Sequence, residues 1–461
     1  MPGALQRGKI MTDNILEDIS RFLCQEAPSF EVLLDKYGDL PFRDITRIAL
    51  NGQKPLSDPL KQAVLNAASR VYGTDTADGL RGQLAQKPVF NTAEHFGFSN
   101  SFLLHSSIFT ANLEKARSHA YNIVLACSNI SFKDHSQPAT IAWKGESVRL
   151  VSVKHLRCSV YTAPPVDRAR WPDIHGDFQR LIPHDTLPVS GFMDQMSRIN
   201  TTLWEKAFGG DNGFPELVYL ALEEVAAQLI IDSIAHEDDL AAFCFNPERL
   251  LVLLDTFEGL PYCWEGETKG THLFWHDVAG KAKYPLRFDG SRHLTGRDAR
   301  IELTAGTIIE KLRDKTLIPG SFLSYLILLH HNARIFGGPL QIQVMPEIWR
   351  RWCEMTGIDH DTSVSDESQM SMFSLLFNRQ FAPLNFDDII SLPDEKRHPM
   401  FHQMMQAYDR LTPKDLLALF AFPAIISQKK EPHPFAHLKA YGDPRVVAEH
   451  LKLDERIGIH I

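Results

Sequence analysis

Val89-Phe90-Asn91-Thr92-Ala93-Glu94-His95-Phe96-Gly97-Phe98-Ser99-Asn100-Ser101 is the stretch that decides the fold class. It predicts a short strand over 88–92 running into a polar turn that carries a carboxylate and an imidazole. Ser99 or Asn100 then caps a helix beginning at Ser101, whose next turn holds His105. A strand end, a titratable pair and a helix N-terminus in this order are how α/β proteins build sites for small anionic ligands.

Outward from this stretch, 101–117 has helical patterning, and Tyr121-Asn122-Ile123-Val124-Leu125-Ala126-Cys127 is strand-like again. Strand, helix and strand make a β-α-β unit with parallel strands and a right-handed crossover. Further strands are expected at 148–153 and 158–162, at 250–254, at 271–275 and, from the alternation of Leu340-Gln341-Ile342-Gln343-Val344, at 340–344. Helices are expected at 197–208, 215–235, 304–313 and 321–331. Before this core, 12–75 is amphipathic and helical, with Asp58-Pro59 read as an N-cap followed by proline at N1. After it, the chain is mainly helical, and Thr412-Pro413-Lys414-Asp415 is a good helix start.

The fold expectation is therefore α/β: a mixed, largely parallel central sheet with surrounding helices, an N-terminal helical cap over 12–80, an α/β core over 85–345, and a helical C-terminal part over 346–461. At 461 residues the chain exceeds the ~250–300 at which a single core usually stops growing.

Composition excludes several classes. Hydrophobic residues make up 44% and charged residues 23%, enough for a sizeable core and too apolar for extensive disorder. Acidic residues outnumber basic ones, 57 to 48, giving a net charge of −9 that repels nucleic acid and anionic membrane. The N-terminus lacks the apolar core of a signal peptide. No apolar run reaches the ~18–20 residues needed to cross a bilayer; the longest, 217–231, is interrupted by Glu223-Glu224. Six scattered cysteines without a Cys-x-x-Cys pair suit reduced, packed thiols of a cytoplasmic protein. Phosphate-loop, dinucleotide-binding, zincin and α/β-hydrolase signatures do not occur.

Three segments carry candidate chemistry. In the first, His95 is the candidate acid/base, Glu94 its companion, Asn91 and His105 are ligand-facing positions, and the amides at Asn100 and Ser101 form an anion cradle of roughly half a positive charge. In the second, Gly270-Thr271-His272-Leu273-Phe274-Trp275-His276, an imidazole beside large aromatics suits a pocket wall, with His272 catalytic and Trp275 stacking on a planar ligand. In the third, His331 ends a helix, and Gln341 follows the Gly337-Gly338 pair that lets backbone approach a ligand. Ordinary structural roles compete at each position: a solvated loop for Glu94-His95, satisfied core histidines for His105 and His272, and helix-dipole stabilisation for His331.

The functional expectation is an enzyme acting on a small polar or anionic metabolite by group transfer, hydrolysis or elimination, with histidine acid/base chemistry at a strand-to-helix turn. A non-catalytic ligand-binding or scaffolding protein is the alternative, and a His-ligated metalloenzyme the third. No cofactor and no metal site is expected, because the histidines lack tight ligand spacing. The expected partner is a small-molecule substrate, with neither nucleic acid nor membrane; a homo-oligomer is compatible.

Overall fold

A computed structural model describes residues 15–26, 28–41, 44, 54–96, 101–133, 140–144, 146–149, 151, 155–166, 191–209, 213–260, 272–278, 281–337, 339–358, 386–393, and shorter stretches within 395–452. The fold is mixed α/β. Its parallel sheet has four strands in the order β11-β1-β2-β5, with β1 Val89–Asn91, β2 Tyr121–Ala126, β5 Glu216–Ala221 and β11 Arg334–Phe336. A second, antiparallel sheet has five strands, in the order β10-β6-β7-β8-β9: β6 Phe274–Asp277, β7 Lys283–Phe288, β8 His293–Gly296, β9 Ala299–Glu302 and β10 Leu317–Pro319. Strands β3, Thr140–Trp143, and β4, Glu146–Arg149, form an antiparallel ribbon. The expectation of a largely parallel sheet is thus corrected: among the described strands, four of eleven are parallel, and the larger sheet is antiparallel.

The expected β-α-β unit is present. Strand β1 pairs in parallel with β2 across helix α5, Ser101–Ala116. (Helices are α1 Ile15–Glu26, α2 Pro28–Tyr37, α3 Asp58–Tyr72, α4 Thr74–Ala85, α6 Phe192–Phe208, α7 Leu222–His236, α8 Asp239–Phe245, α9 Pro247–Phe257, α10 Ala305–Arg313, α11 Ser321–His330 and α12 Pro339–Thr356.) Alternation along the parallel strands builds two cores, because successive side chains point to opposite faces. Val89, Val124, Ala126, Leu217 and Tyr219 pack on one face with α5 and α6, and helices α1 and α2 join the same cluster. Phe90, Ile123, Leu125, Val218 and Leu220 pack on the other with α3, α7, α11 and α12.

Several boundaries differ from expectation, each for a physical reason. The 215–235 segment is not one helix: Glu216–Ala221 is strand β5 and α7 follows at once. Leu217-Val218-Tyr219-Leu220 is an unbroken apolar run, the signature of a strand buried on both faces. The 250–254 segment is helical instead, inside α9, where Asn246 caps, Pro247 opens the helix and Leu250, Leu253 and Phe257 are buried one helical face apart. The alternation at 340–344 is likewise the start of helix α12; beyond it Met345, Ile348, Trp349 and Trp352 continue with helical spacing. Five residues are too few to separate the two periods. The 158–162 segment is a 3₁₀ turn, Val160–Thr162, capped by Ser159. Helix α3 is capped by Ser57, whose hydroxyl accepts from the Leu60 N–H, and not by Asp58. Thr412 and Asp415 do form the expected reciprocal cap.

Candidate functional site

The crossovers determine where a ligand fits. Chain leaving β1 and β2 turns to the face of α5 and α6, whereas chain leaving β5 and β11 turns to the face of α7 and α12. Neighbouring strands therefore send their chains apart at two places on the carboxyl edge, between β2 and β5 and between β11 and β1. Such switch points open crevices in α/β sheets.

At the β2/β5 crevice lies a cavity of about 390 Å³, enclosed by Arg70 of α3, the Tyr161–Ala163 turn, Gly191–Asp194 at the start of α6, Asp277 ending β6, and Asp314–Thr316 before β10. Its charges are organised around Glu224, in the first turn of α7. One carboxylate oxygen of Glu224 lies 2.8 Å from Lys315 Nζ, and the other 3.5 Å from Arg70 Nε. The Tyr161 phenol faces the same carboxylate and helps stabilise its charge. Burial works against the Glu224 carboxylate, yet Lys315 and Arg70 together hold its pKa below the usual carboxylate range. Arg70 is shared with Asp194, at 2.5 Å. Lys315 Nζ sits 4.8 Å from the centre of the Tyr161 ring, a cation–π arrangement. Its backbone has φ +60°, an uncommon conformation for a side chain with a Cβ. Burial, with Glu224 and Glu223, pushes the Tyr161 phenol well above its ordinary pKa, so it stays a donor.

The floor of the crevice is closed by Glu223, which is fully buried. It accepts from the Ser128 N–H at 2.6 Å, the Ser128 hydroxyl at 2.5 Å and the Cys127 thiol at 3.3 Å. Burial, then Glu223, pushes the Cys127 thiol up, which keeps it protonated. Ser321 Oγ lies 3.2 Å from the same sulfur.

The described residues singled out in the sequence are dispersed over both edges of the sheet, and none is among the described residues of the cavity lining. Glu94 is buried and accepts from Ser107 of α5. Asn91 is an internal brace, donating to Ser106 and Ser107 and accepting from the Ala93 N–H. His95 pairs with Cys127 as an isolated parallel bridge. From Asn91↔Val124 to His95↔Cys127 the β1 side uses four residues and the β2 side three, so the ladder bulges at the candidate turn. His95 is half-buried, and its carbonyl accepts from the Tyr219 hydroxyl at 3.1 Å. Asn100 lies outside the described residues, as do the side chains of Ser101 and His105, whose backbone is helical.

His272 and Trp275 do meet, edge to face at 5.4 Å, and Lys283 Nζ lies 4.4 Å from the centre of the Trp275 ring. Burial, reinforced by Arg287, pushes His272 down to about 4, so it is neutral at neutral pH. At the β11/β1 crevice, Gln341 clamps strand to helix: its amide donates to the Thr92 carbonyl at 3.0 Å and the Tyr325 hydroxyl at 2.9 Å, and accepts from the Thr92 hydroxyl at 3.0 Å. A Cβ at Gly337 would lie 1.3 Å from Gln341 Oε1, so a larger residue there displaces the Gln341 side chain from the clamp. His331 is elsewhere, at the amino edge, with Nδ1 2.8 Å from Ser57 Oγ. Among the described residues no three His, Cys, Asp or Glu side chains are grouped to hold a metal ion. None of their helices is long and apolar enough to cross a membrane.

Arg70, Tyr161, Asp194, Glu224, Asp277 and Lys315 went unremarked as site residues. Only Glu223-Glu224 left a local trace, as a pair of charges interrupting an apolar run just after a strand. No family model matches the chain, and no curated protein does.

Proposed function

We propose that this chain is an enzyme acting on a small polar metabolite held in the charged cavity at the β2/β5 crevice. One observation carries the proposal: a cavity of about 390 Å³ at the carboxyl ends of parallel strands, walled by Arg70, Lys315 and the carboxylates of Asp194, Asp277 and Asp314. Its size suits a small ligand, and charged groups set in a partly buried wall fix a ligand's orientation. In this proposal a ligand that extends from the cavity past the end of β2 meets His95, which lies outside the lining, as the acid/base. Group transfer, hydrolysis and elimination all fit such equipment.

A second function, binding without chemistry, is favoured by the described lining: among the described residues it holds no imidazole or thiol, and Arg70 and Lys315 already sit in ion pairs.

Gly191 supplies the test. It has an ordinary extended φ of −154°, and a Cβ there meets nothing closer than the Ala163 carbonyl at 3.9 Å. Gly191→Leu therefore plugs the cavity without backbone strain. Metabolites that raise the thermal midpoint of the wild type are expected to lose that effect in Gly191→Leu. A binder indifferent to the plug would place the site elsewhere. Once turnover is found, His95→Ala is expected to lower it by ~10²–10⁴ with an unchanged midpoint; full turnover would leave His95 without a catalytic role.

A further inference from the structure

The cavity's charges fall into two poles. Arg70 and Lys315 converge on Glu224 at one side. At the other, Asp277 and Asp314 flank Thr316: the Thr316 carbonyl accepts from the Asp277 backbone N–H at 3.0 Å, and the Asp314 carboxylate accepts the Thr316 N–H at 2.9 Å and its hydroxyl at 2.5 Å and pairs with Lys311 Nζ at 3.4 Å. The β6–β10 pairing fixes the turn carrying Asp314, Lys315 and Thr316 against the end of β6, so both poles are held by one stretch of backbone.

A ligand entering such a wall must respect what is already paired. A carboxylate approaching Arg70 and Lys315 brings charge toward Glu224 and Asp194 as well, and with nothing to offset it that charge is desolvated beside like charges. An ammonium group alone gains Asp277 and Asp314 but leaves the cationic pole as it was. A ligand bearing both charges exchanges partner for partner at both poles and adds no net charge to the cavity. We infer that the cavity at the β2/β5 crevice takes a small zwitterion, with its carboxylate toward Arg70 and Lys315 and its ammonium toward Asp277 and Asp314. This inference rests on the cavity being the ligand site, as proposed above.

Isothermal titration of the full chain with the proteinogenic amino acids, each beside its decarboxylated amine and its deaminated acid, tests the inference. At least one zwitterion is expected to bind, with both singly charged analogues weaker by roughly tenfold or more, about 1.4 kcal/mol each. Lys315→Met is expected to weaken the zwitterion and the deaminated acid while sparing the amine. Asp277→Asn is expected to do the reverse. Asp277 is buried, so Asp314→Asn, whose side chain is 41% exposed, repeats the second arm in a variant that folds. A singly charged analogue binding as tightly as its zwitterion, or no zwitterion binding at all, overturns the inference. The two proposals fail differently: a singly charged ligand expelled by Gly191→Leu keeps the cavity and removes the zwitterion, whereas binding that ignores Gly191→Leu removes the cavity.

Discussion

Glu114 and Glu223 are both fully buried, at opposite edges of the same parallel sheet, and they leave different surroundings behind them. Glu114, in the last turn of α5, accepts from the Val89 N–H at 3.0 Å, Gln83 Nε2 at 3.3 Å, Arg117 at 3.4 Å and His119. It ties the start of β1 to α4 and α5, and the amino edge closes around it. Glu223 likewise spends its oxygens on the end of β2, but its neighbour Glu224 turns to a charged wall with open space beyond. A buried carboxylate at a strand end therefore says nothing by itself about function. Connections diverge to opposite faces at both edges, into β1 and β2 at the amino edge and out of β2 and β5 at the carboxyl edge. What separates the edges is filling: Glu114 and its donors close the first, and a cavity remains open at the second.

The comparison can be broken most forcefully at the amino edge. Glu114→Ala leaves a backbone N–H, an amide, a guanidinium and an imidazole in a dry site without their common acceptor, and is expected to cost about 3–5 kcal/mol in denaturant unfolding. Cavity ligands should bind the folded fraction of this variant unchanged; altered affinity would mean that the two edges are coupled.

Glu223→Ala is expected to cost about 1–3 kcal/mol, because it strands the N–H and hydroxyl of Ser128 in the core. If this variant lost ligand affinity at unchanged stability, Glu223 would belong to the binding wall instead of the floor.

The β11/β1 crevice offers a gentler test. Gly337→Ala and Gln341→Ala each dismantle the same clamp on Thr92 and are each expected to cost about 1 kcal/mol. The double variant should cost far less than the sum, since both changes remove one set of hydrogen bonds. Additive losses in urea melts would show that Gly337 matters for another reason.

A pH dependence tests the amino edge in another way. His331 at the amino edge is pushed down to about 4 by burial and then by His330, against an ordinary value of about 6.5. Above about pH 6.5 the ring is neutral both folded and unfolded, and pH has no purchase on it. As pH falls from about 6.5 toward 4, the unfolded chain takes up a proton that the folded one refuses, so stability is lost in that window. His331→Asn should flatten this part of the stability profile, as measured by the thermal midpoint at successive pH values. An equally steep profile in the variant would place the acid sensitivity in other groups, His272 first.

Local sequence carried much of this fold. The β1 and β2 strands, the helix from about 304, the capped start at Thr412 and the α11 helix are legible because each depends on neighbours a few residues away. Short apolar runs were where it failed. Residues 217–221, 250–254 and 340–344 carry patterns that both a strand and a helix can satisfy, and only packing partners choose between them. Leu217–Ala221 became a strand because β2 lies beside it, and the Tyr72 hydroxyl oxygen accepts from the Tyr219 N–H at 3.0 Å.

The sequence by itself determined that the chain is α/β and that a β-α-β unit follows residue 88; where it pointed to a polar turn, Glu94 is instead buried and His95 bridges to Cys127. Tertiary structure alone decided where charge meets open space. Arg70, Asp194, Glu224, Asp277 and Lys315 are drawn from five separate elements spread over most of the chain. No window along the sequence contains them together, because their meeting follows from strand order and crossover direction, and those are properties of the folded sheet.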